Sequence, residues 1–280
     1  MKPKFVSLKA NGELQRRISK VEEILKRCVL CARKCRVNRV KEEVGYCRVG
    51  KKPRIFGAHP HLGEEQILVP SATIFFAGCT MRCVYCQNAP ESLTPEHGRI
   101  WSEEEIARWI EKMEQNGCRN VNFVGGEPTP YLWNILKALN LTNAKLPVVW
   151  NSNAYYSEQT AELLKGLVDI YLLDFRYFNP KCAIELSDAP NYPDVAKRNI
   201  LAATKDSFLM VRLLVLPGHI ECCAKPILRW LRKNIKRHFY LNIMDQYWPA
   251  YKASGYAKIN RHLSPDEFRE VTEFAKELGL

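Results

Sequence analysis

The sequence predicts an α/β fold built on a parallel sheet, with a small cysteine-rich module in front of it. Three observations carry this. From Ala72 onward, short apolar runs alternate with amphipathic stretches in six β–α units, and parallel strands need crossover helices. The length of 280 residues and an apolar fraction of 46% suit one large catalytic domain, alone or with a small appendage. Seven of the eleven cysteines fall into two tight groups, one before and one after residue 71. Periodicity leaves both an open doubly wound sheet and a partial barrel open.

In chain order, residues 1–27 read as a polar, helix-prone lead-in, with Leu14, Ile18, Val21 and Leu25 at helical spacing. Residues 28–52 form a compact Cys- and Arg-rich stretch, and 53–71 a linker punctuated by Pro, Gly and His. The predicted division is therefore a basic module over 1–71 and the α/β domain over 72–280. The strands expected are Thr73–Ala77, Val121–Val124, Val148–Trp150, Ile170–Leu173, Leu209–Val215 and Tyr240–Ile243. Helical patterns lie near 103–116, 131–141, 157–167, 193–204, 225–237 and 266–279. Two helix starts carry capping boxes, Ser102 with Glu105 and Ser264 with Glu267, where the hydroxyl and the carboxylate satisfy orphan backbone donors reciprocally. The run from Arg229 to Arg237 is expected to be a helix with a solvated cationic face.

No apolar run approaches the ~20 residues of a membrane span, and the polar start lacks a signal-peptide core, so a soluble cytoplasmic protein without membrane partners is expected. The net charge of +12 is uneven. Residues 1–60 hold 17 Lys/Arg and 5 Asp/Glu, whereas 61–280 hold 25 of each. The excess either docks an acidic partner or forms a solvated face.

The chemistry concentrates after the strand at 73–77, where the chain reads Cys79-Thr-Met-Arg-Cys83-Val-Tyr-Cys86. Sites of parallel α/β proteins gather at the carboxyl ends of strands. Three thiolates spaced C-x₃-C-x₂-C can ligate three irons of a [4Fe-4S] cluster and leave the fourth open to a small-molecule chelate. A zinc site is the competing reading, but zinc favours a fourth ligand and paired C-x₂-C knuckles. The next strand ends in Gly125-Gly126-Glu127. Two glycines let the backbone approach a ligand closely, and Glu127 offers an anion to an ammonium group; a plain βα turn is the bland alternative.

This pair of motifs, with Tyr85 before the last Cys, resembles the radical S-adenosylmethionine (SAM) superfamily over about residues 72–246. The resemblance implies a partial (β/α)6 barrel and a SAM-cleaving enzyme, with Gly125, Gly126 and Glu127 near the methionine amino group and Tyr85 near the adenine. Four stretches (168–176, 191–195, 211–218 and 242–246) are similar to the pyruvate formate-lyase activating enzyme branch, especially relatives with an extra N-terminal cysteine module. That similarity implies SAM contacts for Asn151, Ser152, Asn153, Asp174 and Arg212; ordinary strand-end polarity is the alternative. It also implies a flavodoxin or ferredoxin-type reductant and a protein or peptide substrate, with RNA bound by the basic module as the other candidate. The activase patterns Asp-x-Lys and Asp-Thr-Asn are here Asp174-Phe175-Arg176 and Asn151-Ser152-Asn153, and Gln246 stands where the activase has a late histidine. These departures bear on glycyl-radical activation itself and leave the SAM chemistry untouched.

Cys28, Cys31, Cys35 and Cys47 supply four thiolates, enough to close a second metal centre, either an auxiliary [4Fe-4S] cluster or Zn²⁺. Arg27, Arg33, Lys34, Arg36, Arg39 and Arg48 surround them in sequence and could offset the negative charge of a tetrathiolate centre; Arg33, Lys34, Arg36 and Arg39 are also read together as a docking surface, with a solvated face as the alternative. His59 and His61 with Glu64 and Glu65 are either ligands or surface turn residues, and Trp248, Tyr251 and Tyr256 either cover the site or pack. Cys118, Cys182, Cys222 and Cys223 fit neither cysteine group and are expected to be inert thiols.

Overall fold

The computed structural model describes residues 2–280. They form two compact units: one comprises the chain up to Thr80 with Pro90–Ser152 and Tyr156–Tyr171, the other Met81–Ala89, Asn153–Tyr155 and Leu172–Leu280. This partition does not run at residue 71, since the cysteine-rich segment groups with the strands that follow it.

The first unit holds helices α1 (Lys4–Ala10), α2 (Glu13–Lys26), α3 (Glu103–Gln115), α4 (Leu132–Leu141) and α5 (Glu158–Leu164). Its strands are β1 (Arg54–His61), β2 (Ser71–Phe76), β3 (Arg99–Ile100), β4 (Asn120–Gly125) and β5 (Val148–Ser152), in the spatial order β3-β1-β2-β4-β5. β2 runs parallel to β4, and β4 to β5, while β1 is antiparallel to β2. The buried runs Ala72, Ile74, Phe76 and Val148, Val149, Trp150 show why these strands read as continuous apolar segments: both sheet faces are covered. α2 buries Leu14, Ile18, Val21 and Leu25, the stripe read from the sequence, and the break at Gly12 (φ +75°) splits the lead-in into two helices.

β6 (Ile170–Asp174) leads into the second unit, which holds α6 (Pro180–Ser187), α7 (Tyr192–Asp206), β7 (Phe208–Leu214), a π-turn at Ile220–Ala224, α8 (Lys225–Asn234), β8 (Tyr240–Met244) and α9 (Pro265–Glu277). β7 pairs with β8 in parallel, and the Phe175 amide donates to the Arg212 carbonyl. Strands β2 and β4–β8, each followed by a helix, are the six expected β–α units, so the fold is α/β as predicted. Both capping boxes form as read.

β1, its two-residue partner β3 and α6 differ from expectation. The linker at 53–71 contains β1, whose Pro60 escapes the usual veto because β3 pairs only with Arg54 and Ile55. Within it His59 stacks on Phe75 at 5.2 Å, and His61 lies 3.8 Å from Glu64. Helix α6, short and begun by Pro180, carries little helical periodicity and was not anticipated. No helix of the described residues is long and apolar enough to cross a membrane.

Candidate functional site

In the first unit, β2 delivers Cys79 and β4 delivers Gly125, Gly126 and Glu127. The Cys79 thiol lies 3.2 Å from the Gly126 carbonyl and donates to it. The two glycines are sterically required. Gly125 sits at φ +123°, where a Cβ would fall 2.1 Å from the Phe76 nitrogen; at Gly126 it would fall 2.2 Å from the Gly78 oxygen and 2.5 Å from the Ser92 oxygen. Glu127 is 1% exposed. Its Oε1 accepts from the Thr129 hydroxyl (2.5 Å), the Thr129 amide (3.2 Å) and the Ser152 hydroxyl at the end of β5 (2.8 Å). Beside Ser152, the side-chain amide Nδ2 of Asn151 is buried with no hydrogen-bond partner. A buried amide donor of this kind is costly unless something completes it, which suits a strand-end ligand shelf.

In the second unit, the segment Met81–Ala89 carries Cys83, Tyr85 and Cys86 and is held by the C-terminal end of α6. The Arg82 amide donates to the Ser187 carbonyl and the Val84 amide to the Leu186 carbonyl, both at 2.9 Å. The Ser187 hydroxyl, 3.0 Å from Cys83 Sγ, donates to it. Tyr177 bridges the Tyr85 hydroxyl (2.5 Å) and the Ser187 hydroxyl (2.7 Å). Burial pushes the Cys83 thiol up; the Arg176 guanidinium opposes this, and Ser187 adds a smaller opposing effect. Burial also raises Tyr85, with negative charge at Cys83 adding to it, so the phenol stays protonated. Arg176 pairs with Asp174 at 2.7 Å, and the Tyr192 hydroxyl donates to the Asp174 carbonyl. Asn153 accepts the Tyr155 amide through Oδ1, and Arg212 lies half-buried on β7. The segment after β8 is tied to the cysteine segment twice, by Gln87 donating to the Gln246 carbonyl (3.0 Å) and by the Lys252 amide donating to the Val84 carbonyl (2.8 Å). Trp248 and Tyr251 in it are 48% and 49% exposed.

Thr129, Tyr177 and Ser187 are hydrogen-bonded neighbours of the candidate residues that sequence reasoning missed. Thr129 follows directly on Gly-Gly-Glu-Pro and was within reach as a capping hydroxyl. Tyr177 and Ser187 lie about a hundred residues from Tyr85 and Cys83, the partners they bond, and gave no signal.

The N-terminal cysteines are gathered by tight turns in the first unit. The Cys28 amide donates to Val37, the Arg36 amide to the Cys28 carbonyl, and the Lys34 amide to the Cys31 carbonyl, with Lys34 and Arg36 in the left-handed region. The Tyr46 amide lies 3.4 Å from Cys35 Sγ. Burial pushes Cys31 up, and the charges of Cys47, Cys28 and Cys35 add to it; burial likewise raises Cys47, with Arg39 opposing. The docking surface read from the sequence needs correction. Arg39 is 1% exposed and donates to the carbonyls of Val49 (3.0 Å), Gly50 (2.5 Å) and Pro130 (2.7 Å), while Arg33 caps the Tyr46 ring and donates to the Thr80 carbonyl. Long-range packing recruits these two cations inward; Lys34 and Arg36 remain exposed.

The profile of the radical SAM superfamily matches residues 73–231. An uncharacterized protein of Methanocaldococcus jannaschii is 41% identical over all of this chain and 81% of its own length. The 7-carboxy-7-deazaguanine synthase of Methanothermobacter thermautotrophicus is 32% identical over 59% of this chain and 71% of its own. Among solved structures, Streptococcus suis SuiB bound to precursor peptide SuiA superposes with a TM-score of 0.54 at 18% identity, covering 71% of this chain. The chain spans 43% of that structure's length, and at this identity the likeness is one of fold.

Proposed function

The chain belongs to the radical SAM superfamily, and from that premise we propose that Cys79, Cys83 and Cys86 hold its [4Fe-4S] cluster and that its substrate is a protein or peptide. Superfamily membership makes it an enzyme of radical chemistry that uses SAM and needs a reductant and a substrate. The cluster, when bound, supplies the electron that splits SAM into methionine and a 5′-deoxyadenosyl radical. The chain's own residues have the positioning tasks. Gly125 and Gly126 open the shelf, and Glu127, fixed by Thr129 and Ser152, takes the methionine ammonium. Asn151 supplies its unpaired amide, Tyr85 flanks the adenine, and Asn153, Asp174 and Arg212 line the remainder. No side chain is asked to act as a general base. The observation that carries this reading is the strand-end shelf, where two glycines exclude any Cβ beside a buried, hydrogen-bonded carboxylate and an unpartnered amide.

The exposed Trp248 and Tyr251, on a segment hydrogen-bonded to the cysteine segment, support a protein or peptide substrate, since exposed aromatics anchor such partners. A flavodoxin or ferredoxin-type protein is the proposed reductant. A second centre, [4Fe-4S] or Zn²⁺, is proposed at Cys28, Cys31, Cys35 and Cys47 within a module spanning 1–71. The exposed Arg27, Lys34, Arg36, Lys41 and Arg48 favour a second reading, RNA bound by that module.

Anaerobically reconstituted protein reduced with dithionite should convert SAM to 5′-deoxyadenosine slowly without substrate. Cys79→Ala, Cys83→Ala and Cys86→Ala should each abolish this, and wild-type turnover in any of them would sink the assignment. Substrate trapped from the native host and identified by mass spectrometry should be a polypeptide; RNA captured with an affinity that falls steeply with salt would favour the second reading.

A further inference from the structure

The three cysteines the sequence leaves as inert thiols, other than Cys118, meet in the second unit. Cys182 lies in the first turn of α6, and Cys222 and Cys223 lie side by side in the π-turn before α8. Their sulfurs are all within 4.8 Å of one another, and Cys182 Sγ is 3.8 Å from Cys222 Sγ. No other group of three Cys, His, Asp or Glu ligand atoms among the described residues is drawn so close.

We propose that Cys182, Cys222 and Cys223 form a mononuclear site for a thiophilic d¹⁰ cation, Zn²⁺ or Cu⁺, separate from the cysteines that precede it in the chain. Spacing supports this first. Two sulfurs on one tetrahedral zinc with bonds of about 2.3 Å stand about 3.8 Å apart, the separation seen between Cys182 and Cys222. Chemistry supports it second, because an all-thiolate donor set selects soft ions of this kind over Mg²⁺ or Ca²⁺. The surroundings support it third: Cys182 and Cys223 are buried and Cys222 is half-buried, so the three sulfurs gather where water is largely excluded. A π-turn is also a rare backbone state that recurs at functional sites. Binding replaces three S–H bonds with three S–metal bonds, releases three protons and changes no oxidation state. A water completes the shell of Zn²⁺, whereas Cu⁺ is satisfied by three sulfurs.

The free thiols are poor ligands until deprotonated. Metal must displace their protons, so occupancy should decline as pH falls. The ion would fasten the first turn of α6 to the turn before α8. The last turn of α6 carries Ser187 and Leu186, which hold the Cys83 segment, so the site would brace the helix on which that segment rests.

The test uses full-length protein, kept anaerobic after iron–sulfur reconstitution, and titrated with Zn²⁺ against a chromophoric chelator and, separately, with Cu⁺ against bathocuproine. Wild type should take up one more equivalent of one of these ions than a Cys182→Ser/Cys222→Ser/Cys223→Ala variant, at equal iron content. Whichever ion shows the difference is the one the site takes, and X-ray absorption should show a sulfur shell. If the triple variant does not fold, Cys222→Ser alone, at a half-exposed position, carries the comparison. Equal uptake by wild type and variant overturns the proposal, as does a Cys182–Cys222 disulfide in anaerobically isolated wild type.

Discussion

Arg39→Met should destabilise the N-terminal module and weaken metal retention at the cysteine site proposed there. The side chain is 1% exposed and spends four N–H···O contacts on three carbonyls, those of Val49, Gly50 and Pro130. Methionine fills a similar length but donates nothing, so three carbonyls lose their partner, two of them in fully buried surroundings. Each stranded carbonyl costs about 1–3 kcal/mol. Relief of the guanidinium's own desolvation offsets part of this, so the low end of each range is the sound choice, about 3 kcal/mol in all. For a chain of this size that is a fall in melting temperature of about 6–12 °C. Arg39 also opposes the burial that pushes Cys47 up, so the variant should hold metal at that thiol less well. Anaerobic thermal unfolding with metal analysis reads both effects. Lys34→Gln, exposed and on the same stretch, is the control and should stay within about 0.5 kcal/mol of wild type. An Arg39→Met protein that melts with wild type and keeps its metal would refute the assignment of Arg39 as a strut.

Ser187→Ala removes the hydroxyl that donates to Cys83 Sγ, and hydrogen bonds to cluster sulfurs help set the reduction potential. The midpoint should move negative in an EPR-monitored titration; an unmoved potential would deny Ser187 that role. Gly126→Ala forces a Cβ to within 2.5 Å of two backbone carbonyls, so loss of SAM binding together with about 1–3 kcal/mol of stability is expected, and a normal protein would contradict the shelf geometry. Glu127→Gln keeps the shape but not the charge, and should weaken SAM binding about tenfold or more by calorimetry, as loss of a charged hydrogen bond does. Glu267, paired with Arg261, is held at about 2, below its ordinary 4.5. Its contribution is full above about 4.5 and lost as pH falls toward 2, so Arg261→Gln should flatten the acid side of the urea-stability profile of iron-free protein. Superimposable profiles would count against the pair.

The sequence carried the local part of this structure and little of the long-range part. Strands β2 and β4–β8 were legible because burial on both faces demands unbroken apolar runs, and the caps at Ser102 and Ser264 because a hydroxyl and a carboxylate three residues apart satisfy the same orphan donors. β1 was hidden because Gly57 and Pro60 signal a loop, although a bulge near Gly57 and an unpaired outer edge at Pro60 accommodate both. The cysteine motif announced itself, whereas the Tyr85–Tyr177–Ser187 chain beneath it exists only once α6 packs against Met81–Ala89. Cys182, Cys222 and Cys223 looked inert for the same reason: forty residues separate the first from the others, and no spacing rule spans that distance.

The basic surplus shows most clearly how folding changes the meaning of composition. Seventeen cations in the first sixty residues read as one electrostatic field, yet they divide by the partners they find. Arg39 is consumed by backbone carbonyls, Arg33 by a ring and a carbonyl, Arg17 by Glu13 and the carbonyls of Leu163 and Lys165, and Lys51 by Glu22. These are struts, and neutralising them would damage the fold before it reported on any partner. The charges still turned to solvent around the four cysteines, Arg27, Lys34, Arg36, Lys41 and Arg48, are the ones whose removal can separate docking from folding. A surface of that size can steer a flavodoxin-like or polypeptide partner through association rate, and the same charges would give RNA binding a steep salt dependence. Salt response measured with those five residues changed and Arg39 left in place therefore distinguishes the two kinds of partner without confounding either with stability.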